Sequence, residues 1–197
     1  KCGMDLHFVT REAYRKKLSE TFLKQLIQDH GECYIIPEGG TNELAIKGCE
    51  EILAKDDERF DYICCAVGTG GTLSGLINSC ALDQKVLGFP ALKVDFLQED
   101  IRRFATNERW DLIRDYHFGG YAKINAELVA FINQFKRTKG VQLDPVYTGK
   151  MMFGIMDLIN KGYFPKGSRI LAIHTGGLQG IPGMNRLLKK KKLSLIE

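Results

Sequence analysis

The chain has 197 residues, enough for one substantial domain or for parts of two. Apolar residues make up 44% and charged residues 26%, ordinary values for a soluble globular protein. No apolar run approaches the roughly 18–20 residues of a membrane-spanning helix, and Lys1-Cys2-Gly3-Met4-Asp5 does not lead into a signal-peptide core, so a cytoplasmic location is expected.

In chain order, Thr10 is placed to cap a helix running to about Gln28, because Leu18, Phe22 and Leu26 recur every four residues. Gly31 tolerates the left-handed backbone that ends such a helix. Cys33-Tyr34-Ile35-Ile36 reads as a short strand stopped by Pro37. The turn Glu38-Gly39-Gly40-Thr41-Asn42 then feeds a helix carrying Leu44, Ile46 and Ile52. Tyr62 to Val67 is an apolar strand followed by a glycine-rich turn and a helix opening near Thr72.

Lys85 to Phe89 is a further strand. Leu97 to Gly120, with Trp110, Tyr116, His117, Phe118 and the pair Gly119-Gly120, reads as a partly helical excursion from the sheet that returns near the ligand. Ile124 to Phe135 and Met151 to Ile159 follow as helices, and Arg169 to Ile173 as a last strand leading into His174-Thr175-Gly176-Gly177. Strands alternating with helices imply an α/β protein whose parallel sheet is flanked by helices.

The formal charge of +4 is mild, and much of it sits in the run Lys189-Lys190-Lys191-Lys192. Such a run either contacts nucleic acid or a membrane, or is a solvated helix end near the negative pole of the helix dipole. Without interleaved aromatic residues the second reading is favoured, and no nucleic-acid or membrane partner is expected. The six cysteines, Cys2, Cys33, Cys49, Cys64, Cys65 and Cys80, form no Cys-x-x-Cys pair. Cys64 and Cys65 lie inside an apolar strand, where cysteine acts as a small hydrophobe, so a reducing compartment fits. His7, His30, His117 and His174 show no metal-ligand spacing, and no metal is expected.

The strongest local signal is Val67-Gly68-Thr69-Gly70-Gly71-Thr72-Leu73-Ser74-Gly75 between a buried strand and a helix. Glycines let consecutive backbone N–H groups face an anion, the helix dipole adds positive potential, and Thr69 and Thr72 offer hydroxyls. The bland alternative is a tight turn that merely permits close packing; four glycines and two threonines favour a phosphate cradle. No Gly-Lys-Ser/Thr follows, which disfavours ATP hydrolysis, and the spacing departs from Gly-x-Gly-x-x-Gly, which weakens a nucleotide-binding reading.

Gly68-Thr69-Gly70-Gly71-Thr72 after a strand resembles the phosphate loop of fold-type II pyridoxal-phosphate enzymes such as cysteine synthase and tryptophan synthase β. Three more segments narrow the likeness. Tyr34-Ile35-Ile36-Pro37-Glu38-Gly39-Gly40-Thr41-Asn42, Leu143-Asp144-Pro145-Val146-Tyr147-Thr148-Gly149-Lys150 and His174-Thr175-Gly176-Gly177 resemble, in order, segments of the 1-aminocyclopropane-1-carboxylate deaminase/D-cysteine desulfhydrase family. The resemblance implies a tryptophan synthase β-like fold, residues 1–50 as the carboxyl-terminal part of a small domain, 51–197 as the large cofactor-binding domain, and a homodimer. It implies pyridoxal 5'-phosphate as cofactor, its phosphate held by Gly68, Thr69, Gly70, Gly71 and Thr72. By the same resemblance, Tyr147 lies against the cofactor ring and Tyr121 is a second active-site tyrosine, with core or packing tyrosines as the bland alternatives.

Thr148 and Thr175 occupy positions that resemble Glu and Leu in the deaminase branch and hydroxyl residues in the desulfhydrase branch. A carboxylate near the pyridine nitrogen would enforce its protonation, whereas a hydroxyl would not. Loss of a good leaving group such as sulfide demands less of the ring, so the expected reaction is β-elimination from a small amino acid, D-cysteine to pyruvate, sulfide and ammonia. The alternatives are the deaminase itself and a non-catalytic remnant that binds a phosphorylated ligand. The family's cofactor-holding lysine sits in a Gly-Asn-Lys segment of its amino-terminal third, which is not found here; Lys150 belongs to another motif, and Lys47 and Lys123 lack context. The chain by itself is therefore expected to be inactive, with unpaired sheet edges.

Overall fold

The computed structural model describes residues 3–93 and 97–197; Cys2 lies outside them. The chain divides into two compact units, Lys1–Gly40 and Thr41–Glu197.

In the first unit Thr10 caps α1 (Arg11–Arg15), its hydroxyl accepting from the Ala13 N–H. The expected single helix to Gln28 is two helices. Ser19 offers its own hydroxyl to the Phe22 N–H and so starts a second helix, α2 (Glu20–His30). Gly31 ends α2 with φ 77°, as its place after the apolar repeat implies. Cys33–Ile36 is not a strand: the segment has no ladder partner among the described residues. An ion pair of 3.0 Å joins Lys17 to Glu38, and the bond from Lys17 holds that carboxyl below its ordinary pKa. None of the unit's described side chains is buried.

The second unit opens with α3 (Glu43–Cys49), capped by Asn42, whose side chain accepts from the Ala45 N–H. Next come β1 (Tyr62–Val67), α4 (Gly71–Ser79), β2 (Lys85–Pro90), α5 (Leu97–Arg102) and β3 (Trp110–Leu112). After them follow α6 (Ala126–Lys139), α7 (Thr148–Asn160), β4 (Ile170–Ile173) and α8 (Ile181–Lys190). The four strands form one sheet in the order β3-β2-β1-β4, with every pairing parallel.

The sheet follows from β1. Its run of Ile63, Cys64, Cys65, Ala66 and Val67 is buried throughout, which only a strand covered on both faces allows. Alternation then divides the core. Ile63, Cys65 and Val67 pack with Leu73, Leu76, Ile77 and Ile101 on the α4 and α5 side, while Cys64 and Ala66 pack with Phe89, Met151, Ile155 and Phe164 on the α7 side. Burial pushes the Cys65 thiol up to about 12 and the Cys64 thiol higher still, so both act as apolar side chains. A third cluster, including Leu128, Ile132, Leu143, Met184 and Leu188, joins α6 and α8.

The excursion expected over Leu97 to Gly120 is partly wrong. It holds α5, but Trp110–Leu112 returns to the sheet as its β3 edge, with Val86 opposite Trp110. Lys189 and Lys190 form the last turn of α8 and Lys191 its cap, as expected of a solvated helix end. Among the described residues no helix is long and apolar enough to cross a membrane, and no cluster of His, Cys, Asp or Glu could hold a metal ion.

Gly75 lets α3 lie directly on α4. A Cβ there would run into the Cys49 side chain and approach the Ile46 carbonyl oxygen to 2.8 Å, a backbone atom that cannot give way. Gly75→Ala is expected to destabilise the chain by about 1–3 kcal/mol through overpacking, read as a lowered midpoint in urea unfolding.

Candidate functional site

Sheet order fixes where a ligand would sit. From β1 the chain goes through α4 to β2 and on to β3, then returns past β1 to β4 on its other side. The direction of winding reverses between β1 and β4. In an open parallel sheet that reversal leaves a crevice at the carboxyl ends of the two strands, where ligands bind. The segment after β1 is Gly68–Gly70, and the segment after β4 is His174–Gly177.

Around Gly68–Thr72 the walls are close. A Cβ on Gly68 would lie 3.3 Å from the Tyr147 hydroxyl, one on Gly71 2.9 Å from Thr41 Oγ1, and one on Gly70 2.8 Å from Ile101 Cγ1. Gly70 also has φ +95° as the residue before α4, a backbone that other residues adopt only at a cost. The first N–H groups of α4 have no partner within the helix and carry its positive dipole end. Thr41 Oγ1 and Thr69 Oγ1 are 2.6 Å apart. Two hydroxyls sharing one bond keep one hydrogen to donate elsewhere.

On the far wall, Asp144 organises the start of α7. Its buried carboxylate accepts from the N–H groups of Val146 (2.8 Å), Tyr147 (2.9 Å) and Thr148 (2.8 Å), and from the Thr148 hydroxyl (2.6 Å). A Cβ on Gly177 would sit 3.1 Å from the Asp144 Cγ, so the loop after β4 closes on the same carboxylate. Tyr147 is thereby fixed with its hydroxyl against Gly68. Tyr121, 59% exposed, meets the Tyr147 ring edge-on at 6.1 Å between centroids. Thr148 is fully buried, and its hydroxyl also accepts from the Asp144 N–H at 2.9 Å. Thr175 is exposed on the loop after β4, where His174 Nδ1 accepts from the Gly176 N–H at 3.1 Å and Nε2 pairs with the Gln142 carbonyl at 2.8 Å.

The glycine loop and Tyr147 thus face each other, and Tyr121 stands against Tyr147. Thr148 lies beneath them on Asp144, and Thr175 stands on the loop that Asp144 draws in. Thr41, Asp144 and Lys150 belong to the arrangement although sequence alone assigns them no part in it. Thr41 could have been suspected from its place in the Gly39-Gly40-Thr41-Asn42 segment, and Asp144 from its spacing of four residues before Thr148. Surface grooves along Arg186–Lys190 and between Tyr116, Phe118 and Asp157 lie away from this crevice.

A model of the pyridoxal-phosphate dependent enzyme family matches residues 1–176. The chain belongs to that family. It is 35% identical to the bifunctional D-cysteine desulfhydrase/1-aminocyclopropane-1-carboxylate deaminase, mitochondrial, of Arabidopsis thaliana, over 91% of this chain and 51% of the relative. To the 1-aminocyclopropane-1-carboxylate deaminase of Bradyrhizobium sp. (strain ORS 278) it is 33% identical, over 85% of this chain and 57% of the relative. A crystal structure of an ACC deaminase homologue superposes with TM-score 0.77 at 29% identity, covering 94% of this chain and 62% of the other. Threonine deaminase isoform 2 from Solanum lycopersicum shares the fold, with TM-score 0.51 at 17% identity, over 86% of this chain and 53% of the other. These relatives bear out the family and the tryptophan synthase β-like fold read from the four motifs. The chain spans little more than half the length of the curated relatives it matches.

The crevice fits pyridoxal phosphate: a side-chain-free cradle at a helix start, a hydroxyl pair with a hydrogen to give, and a tyrosine standing against the loop. Lys150 lies just beyond, 2% exposed. Burial pushes its ammonium down to about 8, partly opposed by the Asp144 carboxylate. Between that value and the ordinary 10.5 the unfolded chain keeps a proton that the folded chain has released, so this group makes stability rise with pH there. Buried thiols act in the opposite sense above their ordinary pKa, so a comparison with Lys150→Met isolates the lysine. From pH 8 to pH 10 the unfolding free energy of wild type is expected to gain on that of Lys150→Met by up to about 2 kcal/mol, measured by urea unfolding at each pH.

Proposed function

We propose that the whole protein is a homodimeric pyridoxal-phosphate enzyme of the cytoplasm that eliminates sulfide from D-cysteine, giving with one water pyruvate, hydrogen sulfide and ammonia. Residues 1–50 then form the carboxyl-terminal part of a small domain and 51–197 most of the large one. The observation that carries the reading is the glycine loop at the β1/β4 reversal, held against Tyr147 and supplied with hydroxyls by Thr41 and Thr69. When bound, the cofactor supplies an electron sink for negative charge at the carbon bearing the amino group.

The chain's own residues do the rest. Gly68, Thr69, Gly70, Gly71 and Thr72 hold the phosphate through backbone N–H groups and hydroxyls. Tyr147 gives one face of contact for the ring, and Tyr121 turns its exposed hydroxyl to the substrate. Thr175 presents a hydroxyl, and Thr148 one already bonded to Asp144, where deaminase-type sequences resemble Leu and Glu respectively, so neither side chain enforces a protonated ring nitrogen. Expelling sulfide tolerates that weaker electron sink better than opening a cyclopropane does. The second reading, 1-aminocyclopropane-1-carboxylate deaminase yielding 2-oxobutanoate and ammonia, is favoured by the names of most of the relatives.

Two measurements test this. Pyridoxal phosphate titrated into this chain is expected to bind, and Gly70→Val to weaken binding at least tenfold; no binding, or none lost in the variant, would remove the cofactor site. This chain alone is expected to turn over neither substrate. Steady-state assays of the whole protein are expected to show turnover of D-cysteine, and turnover of the cyclopropane amino acid with none of D-cysteine would reverse the substrate assignment.

A further inference from the structure

Lys150 has an environment that the proposed chemistry leaves unused. Its Nζ donates to the carbonyl oxygens of Gly120 (2.8 Å), His117 (2.9 Å) and Ala91 (3.2 Å). These belong to separate places: Ala91 directly follows β2, and His117 and Gly120 bracket the turn before Tyr121. An ammonium has three hydrogens, and here three carbonyls receive them. No carboxylate is bonded to it among the described residues, so the contact is a clamp on backbone rather than an ion pair.

What it clamps is strained. Phe118 and Ala122 have φ of 54° and 53°, and Gly119 and Gly120 have 93° and 122°. Left-handed backbone at a bulky residue such as Phe118 persists only where the surroundings impose it. Four other contacts help: the Phe118 ring packs edge-on against Phe153 at 5.0 Å, the Gly119 N–H donates to His117 Nδ1 at 2.9 Å, the Gly120 N–H to the His117 carbonyl at 3.0 Å and the Lys123 N–H to the Gly120 carbonyl at 3.1 Å. The three hydrogen bonds are local to the turn, and none of the four contacts ties the carbonyls of His117 and Gly120 to the end of β2.

We propose that Lys150 is a positioning residue that sets Tyr121 against Tyr147 by holding the carbonyls of His117 and Gly120 onto the end of β2. It sits on the first turn of α7, three residues after Tyr147, so one rigid helix start carries both Tyr147 and the group that orients its neighbour. The inference that Tyr121 then meets a bound pyridine ring rests on the function proposed above; the clamp itself does not.

Hydrogen–deuterium exchange on this chain tests the clamp directly. In Lys150→Met, amides of residues 117–123 are expected to exchange at least tenfold faster, while those of β1, β2 and α7 stay within twofold of wild type. Ligand affinities separate positioning from general loosening. Inorganic phosphate, which needs only the glycine loop, is expected to bind within twofold of wild type, whereas pyridoxal phosphate weakens at least threefold. Unchanged exchange over 117–123 overturns the proposal. So does faster exchange throughout α7 and β1 together with loss of phosphate binding, since that marks a purely structural lysine. Should Lys150→Met fail to fold, Lys150→Gln, which keeps two donors, is expected to show intermediate exchange confined to the same segment, and exchange equal to wild type overturns the clamp. A wild-type chain that binds no pyridoxal phosphate counts against the proposed function, and the exchange comparison still decides the clamp.

Discussion

The burial of both faces of β1 is the constraint from which the second unit follows. A six-residue strand with five consecutive buried positions needs a neighbour along each edge and a layer on each face. Here β2 and β4 supply the neighbours, and α4 with α5 and α7 supply the layers. Because the neighbours arrive from opposite directions of winding, the crevice at the carboxyl end of β1 is a by-product of satisfying the strand. The glycine loop and the His174–Gly177 loop open into that crevice because each directly follows its strand.

Asp144 does for the far wall what β1 does for the sheet. One buried carboxylate with four donors fixes the entry into α7, and with it the attitude of Tyr147, the depth of Thr148 and the approach of Gly177. Bonds of this kind to a charged acceptor are stronger than those between neutral groups. The lining of the crevice is therefore built on a helix start and two strand ends, rigid places from which side chains can be aimed.

Much of this was legible in the sequence, and the reasons are specific. Tyr62–Val67 and Lys85–Pro90 announced themselves as continuous apolar runs, and Gly68–Thr72 as a loop whose composition has few other uses. Trp110–Leu112 did not, because three residues with an aspartate in the middle carry no periodicity; only the open edge of β2 makes them a strand. The break at Ser19 was hidden because the apolar spacing carries on across it, while the capping hydroxyl decides locally. Thr41 and Lys150 stand inside recognisable motifs, but what they bond to was hidden for another reason. Their partners lie 28 to 59 residues away, and nothing at either end signals the match.

The same strand order has a consequence for the sequence of events in folding. α3 and α4 are close along the chain, as are β1 and β2, so the cradle and its Thr41 wall can form by closing short loops. The β1–β4 ladder instead pairs Tyr62 with Ile170, joining segments more than a hundred residues apart. Closing so long a loop costs entropy before its contacts return any. The glycine loop thus needs only short closures, whereas the wall that faces it across the crevice depends on the longest one.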